Sequence, residues 1–296
     1  MEIGITLRRF PGPLGEARAG ATFARLLPTK EENALSSDIT PVVEMRGIVK
    51  NFGPVQALRG VDLQLARCEV LGLVGDNGAG KSTLMKVATG VYQPDAGQIF
   101  LEGRPMHFSS PHDSRAVGIE MVYQDLALAG NLAVDGNIFL GREISRCYFG
   151  GLIKLLDHKR MAHEASRLLE RLKIDIKSVN YRVETLSGGQ RQAVAIARSS
   201  GFEAKLVIMD EPTAALAVRE VSKVLDLICG LKDHDVAVIL ISHRLQDIFA
   251  VCDRIMVLRQ GKTVGDLPKS GTNMDEIVAL ITGAQQSALR ETQEAA

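Results

Sequence analysis

Nine residues, Gly75-Asp76-Asn77-Gly78-Ala79-Gly80-Lys81-Ser82-Thr83, constrain this chain more than any other stretch because of what stands on either side of them. The apolar run Val70-Leu71-Gly72-Leu73-Val74 comes before and Leu84-Met85-Lys86-Val87 after, so the local reading is strand, tight glycine loop, helix. The spacing G-x-x-x-x-G-K-[ST] is that of a phosphate-binding P-loop: glycines let successive backbone N–H groups turn inward on an anion, and the new helix adds the positive end of its dipole. In this reading residues 75–83 cradle the phosphates, Lys81 reaches the β- and γ-phosphates, Ser82 holds Mg²⁺, and the ligand is ATP or GTP. The competing reading is a glycine-rich connector, which the ordered neighbours on both sides disfavour.

Composition narrows the class. The chain has 296 residues, 46% hydrophobic, 24% charged and 4% aromatic, as expected of a globular α/β protein able to bury a substantial core. Lysine plus arginine and aspartate plus glutamate both number 35, so the net charge is zero. Nucleic acid is therefore not the expected partner, because its binders usually carry a basic excess or stripe. No stretch approaches the roughly 18 uninterrupted apolar residues of a membrane helix, so any membrane link is expected through a partner. Cys68, Cys147, Cys229 and Cys252 lack C-x-x-C spacing, which predicts reduced, mostly buried structural thiols in a cytosolic protein.

Residues 1–40 are interrupted by Pro11, Gly12, Pro13, Gly15 and Gly20 and have no continuous apolar segment of the secretory kind. They read as a disordered extension, either a mobile tail or sequence upstream of the natural start. One domain is expected over 41–284, with a frayed tail over 285–296. It opens with a strand over residues 42–50 and a turn at Asn51-Phe52-Gly53-Pro54, followed by an alternating, half-exposed antiparallel strand at Val61-Asp62-Leu63-Gln64-Leu65. Phe52 has two readings here, a core aromatic or a ring that stacks on a nucleotide base. Short strands are expected at 98–101 and 119–123, the latter ending at Gln124. From about 125 to 200 the pattern turns helical, with Met161, Ala165, Leu168, Leu169 and Leu172 at helical spacing behind Asp157 as N-cap.

A second anion signal follows. Leu186-Ser187-Gly188-Gly189-Gln190 precedes a helical run, so its free N–H groups and dipole end face whatever approaches; by itself it is also an ordinary helix cap. The buried strand Leu206-Val207-Ile208-Met209 then runs into Asp210 and Glu211. Two adjacent carboxylates there are costly unless something cationic or reactive joins them. Asp210 suits a metal shell and Glu211 a general base on the attacking water, with a paired acidic helix cap as the alternative. The next strand, 236–241, ends in Ser242-His243-Arg244, at the edge where ligands collect in an open parallel sheet. A hairpin turning at Gln260-Gly261 and a helix from Met274 to Thr282, behind Thr272 or Asn273 and stopped by Gly283, complete the domain.

Taken together, the P-loop, Gln124, the 186–190 string, Asp210-Glu211 and His243 resemble, in order and setting, an ATP-binding cassette, and residues 42–284 resemble the nucleotide-binding subunit of an ABC transporter. Several strings are similar to the bacterial simple-sugar importers of the ribose, xylose and fructose type: Gly75-Asp76-Asn77-Gly78-Ala79-Gly80-Lys81, Tyr123-Gln124-Asp125-Leu126-Ala127-Leu128, Asn137-Ile138-Phe139-Leu140-Gly141-Arg142-Glu143, Asp210-Glu211-Pro212-Thr213-Ala214-Ala215-Leu216 and Ile241-Ser242-His243-Arg244-Leu245. With one P-loop and one 186–190 signature, the chain resembles the single-cassette, fructose-like kind.

The resemblance implies an α/β P-loop NTPase cassette: a mixed-sheet RecA-like core, an antiparallel β subdomain, and a helical subdomain inserted at about 125–200. It implies ATP with Mg²⁺, held by Ser82, Gln124 and Asp210. It also implies a head-to-tail homodimer in which Ser187, Gly188, Gly189 and Gln190 close on ATP held by the other copy's P-loop. Gln124 is expected to touch Mg²⁺ and the attacking water, His243 to hold the γ-phosphate, and residues 125–143 to couple to membrane permease subunits. The implied setting is the cytoplasmic face of a bacterial inner membrane, with an extracytoplasmic sugar-binding protein as indirect partner. A soluble cassette ATPase of translation or repair and a non-hydrolysing regulatory module are the alternatives. The first is disfavoured by the lack of tandem cassettes or a long coiled-coil insertion, the second by intact Lys81, Asp210, Glu211 and His243. Two residues depart from the family pattern: Ala217 replaces an aspartate in the loop that speaks across the dimer, and Cys68 replaces a glycine at a turn needing positive φ.

Overall fold

The computed structural model describes residues 40–148 and 153–284. The extension expected over 1–40, Thr40 apart, and the tail expected over 285–296 lie outside the described residues. The first half contains β1 (Val43–Phe52), β2 (Val55–Leu65), β3 (Val70–Val74), α1 (Lys81–Ala88), β4 (Ala96–Leu101), β5 (Arg104–Met106), α2 (Pro111–Ala116), β6 (Ile119–Val122) and α3 (Val134–Ile138). The second half contains β7 (Ser145–Tyr148), β8 (Ile153–Leu156), α4 (His158–Arg171), α5 (Gly188–Ser200), β9 (Leu206–Asp210), α6 (Val218–Leu231), β10 (Ala237–Ile241), α7 (Leu245–Val251), β11 (Arg254–Arg259), β12 (Lys262–Pro268) and α8 (Met274–Thr282).

The organising sheet has the order β12-β11-β3-β10-β9-β6, parallel throughout except for the antiparallel edge strand β12. Its strands are near-continuous apolar runs because both faces are covered, as a parallel sheet requires. The period of two then sorts each strand between two cores. Val70 and Val74 of β3, with Val238 and Leu240 of β10, pack among α5, α6 and α7. Leu71 and Leu73, with Ile239 and Ile241, pack against α1 and a second sheet. That second sheet has the order β2-β1-β4-β5 and is antiparallel. In β2, Val61, Leu63 and Leu65 are buried while Asp62 and Gln64 are exposed, as the alternation predicts. Each buried Leu or Val contributes about 1.5–3 kcal/mol.

Some boundaries differ from expectation. β1 continues to Phe52, which pairs with Val55, so the turn contracts to Gly53-Pro54 and β2 starts six residues earlier than its alternation suggests. The 125–200 insertion is not wholly helical: it carries the β7-β8 hairpin. α4 forms as expected: Asp157 caps it by accepting from the Arg160 N–H, and Met161, Ala165, Leu168 and Leu169 are buried. In α8, Asn273 accepts from the Glu276 N–H at the start and Gly283 (φ 78°) ends the helix.

The cysteines require a correction. All four are free, but only Cys252 is buried; Cys147 and Cys229 are exposed and Cys68 is half-buried. Cys147 lies on the hairpin and Cys229 on α6, away from either core. Cys68 does adopt the left-handed region (φ 57°), with its Sγ 3.5 Å from Asp235 Oδ1, so the strain expected at this turn is present.

Candidate functional site

The parallel strands deliver the sequence-derived candidates to one edge. β3 ends at the P-loop, β9 at Asp210 and Glu211, β10 at Ser242-His243, and β6 two residues before Gln124. Register makes the neighbours explicit: Ile241 lies opposite both Leu73 and Asp210, and Met209 lies opposite Val122.

The loop between β3 and α1 needs its glycines for different reasons. A Cβ on Gly75 (φ 151°) would sit 2.2 Å from the Leu258 carbonyl oxygen. One on Gly80 (φ 105°), the N-cap of α1, would sit 2.9 Å from the Ala57 carbonyl oxygen. Inside the loop the Lys81 ammonium donates to the carbonyls of Gly75 at 2.7 Å and Asp76 at 3.0 Å. Burial pulls the Lys81 pKa down, opposed by the charges of Glu211, Asp210 and Asp76. Asp210 moves the other way: burial raises its pKa, Glu211 adds to the rise, and Lys81 and Lys86 oppose it. Lys81, Asp210 and Glu211 therefore form one electrostatic group.

Glu211 is held in the left-handed region (φ 54°) by a 2.9 Å hydrogen bond from its N–H to the Ile241 carbonyl. A strained non-glycine backbone of this kind persists where the surroundings over-determine it. Its Oε2 lies 2.6 Å from His243 Nδ1 and is buried with no hydrogen-bond partner. Next to it is a feature that sequence reading missed. The Thr213 hydroxyl donates to buried Asp247 at 2.5 Å and Arg244 Nε lies 3.7 Å from the same carboxylate, which ties the loop after β9 to the one after β10. The sequence signal for it is an aspartate, Asp247, in the first turn of a mostly apolar helix.

Gln124 is exposed at the start of a loop fixed from two sides. Arg198 of α5 donates to the carbonyls of Leu126 and Ala127, both at 2.9 Å, and the buried Asn137 side chain of α3 accepts from the Ala129 N–H at 2.7 Å and donates back to its carbonyl at 2.9 Å. Neither Arg198 nor Asn137 was singled out from the sequence for this role.

The signature residues stand apart from that group. Ser187 is the N-cap of α5 and forms a reciprocal capping box with Gln190: the Gln190 N–H donates to Ser187 Oγ at 3.3 Å, and the Ser187 N–H donates to Gln190 Oε1 at 3.2 Å. With Gly189, they open on a groove of about 900 Å³ that runs beside α6 and that no residue of 75–83 lines. The adjacent α6 starts poorly: its N-cap is Ala217, which makes no side-chain cap. Ala217→Ser would complete an S-x-x-E box with Glu220 and is expected to raise stability by about 0.5–2 kcal/mol, read as a higher denaturation midpoint with unchanged slope in urea.

Phe52 is not a core aromatic. It is 41% exposed, meets the Tyr92 ring edge-on with centroids 5.2 Å apart, and has Lys50 Nζ 5.7 Å above it. As for a metal, no cluster of three or more His, Cys, Asp or Glu among the described residues could hold one alone. Mg²⁺ needs less, one or two carboxylates with waters and substrate phosphate oxygens. Asp210, whose charged form burial disfavours and a cation would favour, and the Ser82 hydroxyl beside an anion loop fit that requirement.

Comparisons with known proteins agree with this geometry. The family described as "ABC transporter" matches residues 58–214. The chain is 46% identical over 244 residues to the xylose/arabinose import ATP-binding protein XylG of Sulfolobus acidocaldarius, covering 82% of this chain and 95% of that one. It is 44% identical over 248 residues to the fructose import ATP-binding protein FrcA of Rhizobium meliloti, covering 83% and 95%. A crystal structure of a nucleotide-free ATP-binding cassette from an ABC transporter superposes with a TM-score of 0.69 at 26% identity, covering 82% of this chain and 95% of that one.

Proposed function

The chain belongs to the ABC transporter family, and from that premise we propose that it is the ATP-hydrolysing subunit of an importer for a simple sugar, working as a homodimer beneath separate membrane permease subunits. The observation that carries the motor reading is the common strand edge at which the P-loop, Asp210, Glu211 and His243 meet. The sugar reading is supported by the printed functions of XylG and FrcA, each matched over 95% of its length. No helix among the described residues is long and apolar enough to cross a membrane, consistent with a peripheral subunit that acts through partners.

The proposed roles follow from the geometry. Backbone N–H groups of 75–83 bind the phosphates, and Lys81 leaves the carbonyls of Gly75 and Asp76 to meet the β- and γ-oxygens. Mg²⁺, held by Ser82, Asp210 and Gln124, would neutralise charge on the transferring phosphoryl group. Glu211, whose Oε2 lies 2.6 Å from His243 Nδ1, is the proposed acceptor of the attacking water's proton. His243 Nδ1 faces Glu211, which leaves Nε2 for a γ-phosphate oxygen and orients the base at the same time. Phe52, exposed at the hairpin end, offers its face to the adenine.

The signature residues and the P-loop line different surfaces, so a second copy is needed to bring Ser187, Gly188 and Gly189 onto a bound ATP. The Gln124 loop and the stretch 125–143 are the proposed permease contact, held to α5 by Arg198. The test is reconstitution of the chain with its permease subunits in proteoliposomes: ATP hydrolysis and sugar accumulation should both require the chain, and hydrolysis should rise when the sugar-loaded binding protein is added. Hydrolysis that ignores permease and binding protein, with no sugar movement, would refute the importer.

A further inference from the structure

Glu211 and His243 stand on loops that leave the adjacent parallel strands β9 and β10, and each loop leads to a buried polar residue: Thr213, two residues past Glu211, and Asp247, four past His243. Thr213 is 1% exposed and Asp247 3%. The two segments meet through side chains twice. Glu211 Oε2 lies 2.6 Å from His243 Nδ1, and behind that contact the Thr213 hydroxyl donates to Asp247 Oδ2 at 2.5 Å. A third link runs through the backbone, from the Glu211 N–H to the Ile241 carbonyl at 2.9 Å. Between these links each chain is short and held by its own hydrogen bonds: the Ala214 N–H donates to the Glu211 carbonyl at 3.2 Å, the Arg244 N–H to Ser242 Oγ at 3.0 Å, and the Asp247 N–H to the Arg244 carbonyl at 3.0 Å.

Fold stability alone gives little reason for this pair. A carboxylate so deeply buried is costly to desolvate, and a neutral hydroxyl returns only part of that cost. Arg244 Nε, at 3.7 Å, is beyond hydrogen-bond reach of it. A place in the first turn of α7 suits the helix dipole, but that benefit needs no burial. Two apolar side chains of the same shape would pack the loops together about as well. What the hydrogen bond adds is a fixed distance and direction, which apolar contacts do not supply. The residue that needs them is Glu211, whose left-handed backbone (φ 54°) persists only while its surroundings over-determine it.

We infer that Thr213 and Asp247 are positioning residues for hydrolysis: their bond holds the loop of Glu211 against the loop of His243, so that the base keeps its 2.6 Å approach to the histidine that orients it. The inference deepens the motor reading and rests on it. Thr213 and Asp247 act through Glu211. Both lie outside residues 75–83, so the tie governs the rate of the chemical step and leaves ATP affinity to the P-loop.

The test follows phosphate release by the full chain reconstituted with its permease subunits, and ATP affinity by titration calorimetry. Thr213→Val keeps the shape of the side chain but strands the buried carboxylate, so it is paired with Asp247→Leu, which makes both partners apolar and is expected to fold. In this double variant kcat should fall by about 10- to 100-fold, the cost of misplacing a catalytic group by about 1 Å, with the ATP Kd within about twofold of wild type. Thr213→Ser, which keeps the hydroxyl, should restore kcat to within about twofold. Asn273→Ala, which removes the cap of α8 far along the chain, should lower the melting temperature and leave kcat alone. On a Glu211→Gln background, adding the apolar pair should cost nothing further in a single-turnover assay, because residues that act through one group are not additive. A wild-type kcat in the apolar pair, a Thr213→Ser variant as slow as that pair, or a full further loss on the Glu211→Gln background overturns the inference while the motor reading stands. Wild-type chain that binds ATP but releases no phosphate with its permease present refutes the motor reading, and the positioning role falls with it.

Discussion

Glu211→Gln is expected to lower the steady-state rate of ATP hydrolysis by about 10²–10⁴-fold, the usual contribution of a positioned general base. The substitution preserves shape, and the backbone that aims the side chain is fixed independently by the hydrogen bond from the Glu211 N–H to Ile241. What disappears is a proton acceptor and one negative charge. That charge is the second influence, after burial, that raises Asp210, so its removal eases that rise and lessens repulsion toward the γ-phosphate. Binding should therefore improve as turnover falls. The variant should accumulate as an ATP-bound dimer, seen by light scattering with ATP and Mg²⁺, while wild type dimerises only transiently. A variant that releases phosphate within threefold of the wild-type rate would remove Glu211 from the role of base.

What the sequence discloses here follows physical range. Local patterns transfer well: the P-loop sits between β3 and α1, Asp157 and Asn273 cap their helices, and Gly283 ends α8, because each depends on residues within one turn. The common edge of Asp210, Glu211 and His243 was also legible, since apolar strands followed by polar residues point to the same end of a parallel sheet. Features made by distant segments were not. Thr213 and Asp247 are 34 residues apart, Arg198 and Ala127 are 71 apart, and nothing in either stretch announces the other. The hairpin at 145–156 was hidden for a different reason: its strands have four residues each, too few for alternation to outweigh the helical spacing of α4. Ala217 was conspicuous only as a missing aspartate.

The second large effect is expected at Lys81. Lys81→Met keeps the length and apolar stem of the side chain but removes its charge, and should weaken ATP binding by about 10- to 100-fold, the range of one charge-assisted hydrogen bond. Hydrolysis should fall below detection, because the same ammonium would offset charge at the γ-phosphate in the transition state. Folding should respond differently. In the absence of nucleotide the ammonium is half-buried, its charged form is disfavoured by that burial, and its two hydrogen bonds go to neutral carbonyls of its own loop. Replacing it removes a desolvation cost along with those bonds, so the nucleotide-free melting temperature should hold or rise slightly. The increase that ATP produces in wild type should shrink with that loss of affinity, since a ligand stabilises only through its affinity for the folded state. Titration calorimetry and thermal unfolding on one preparation separate the two effects. A variant that melts well below wild type without nucleotide would mean that Lys81 holds the loop together. A variant equal in stability but weaker in ATP binding means that the loop bears the cost of an ammonium whose use is the phosphate.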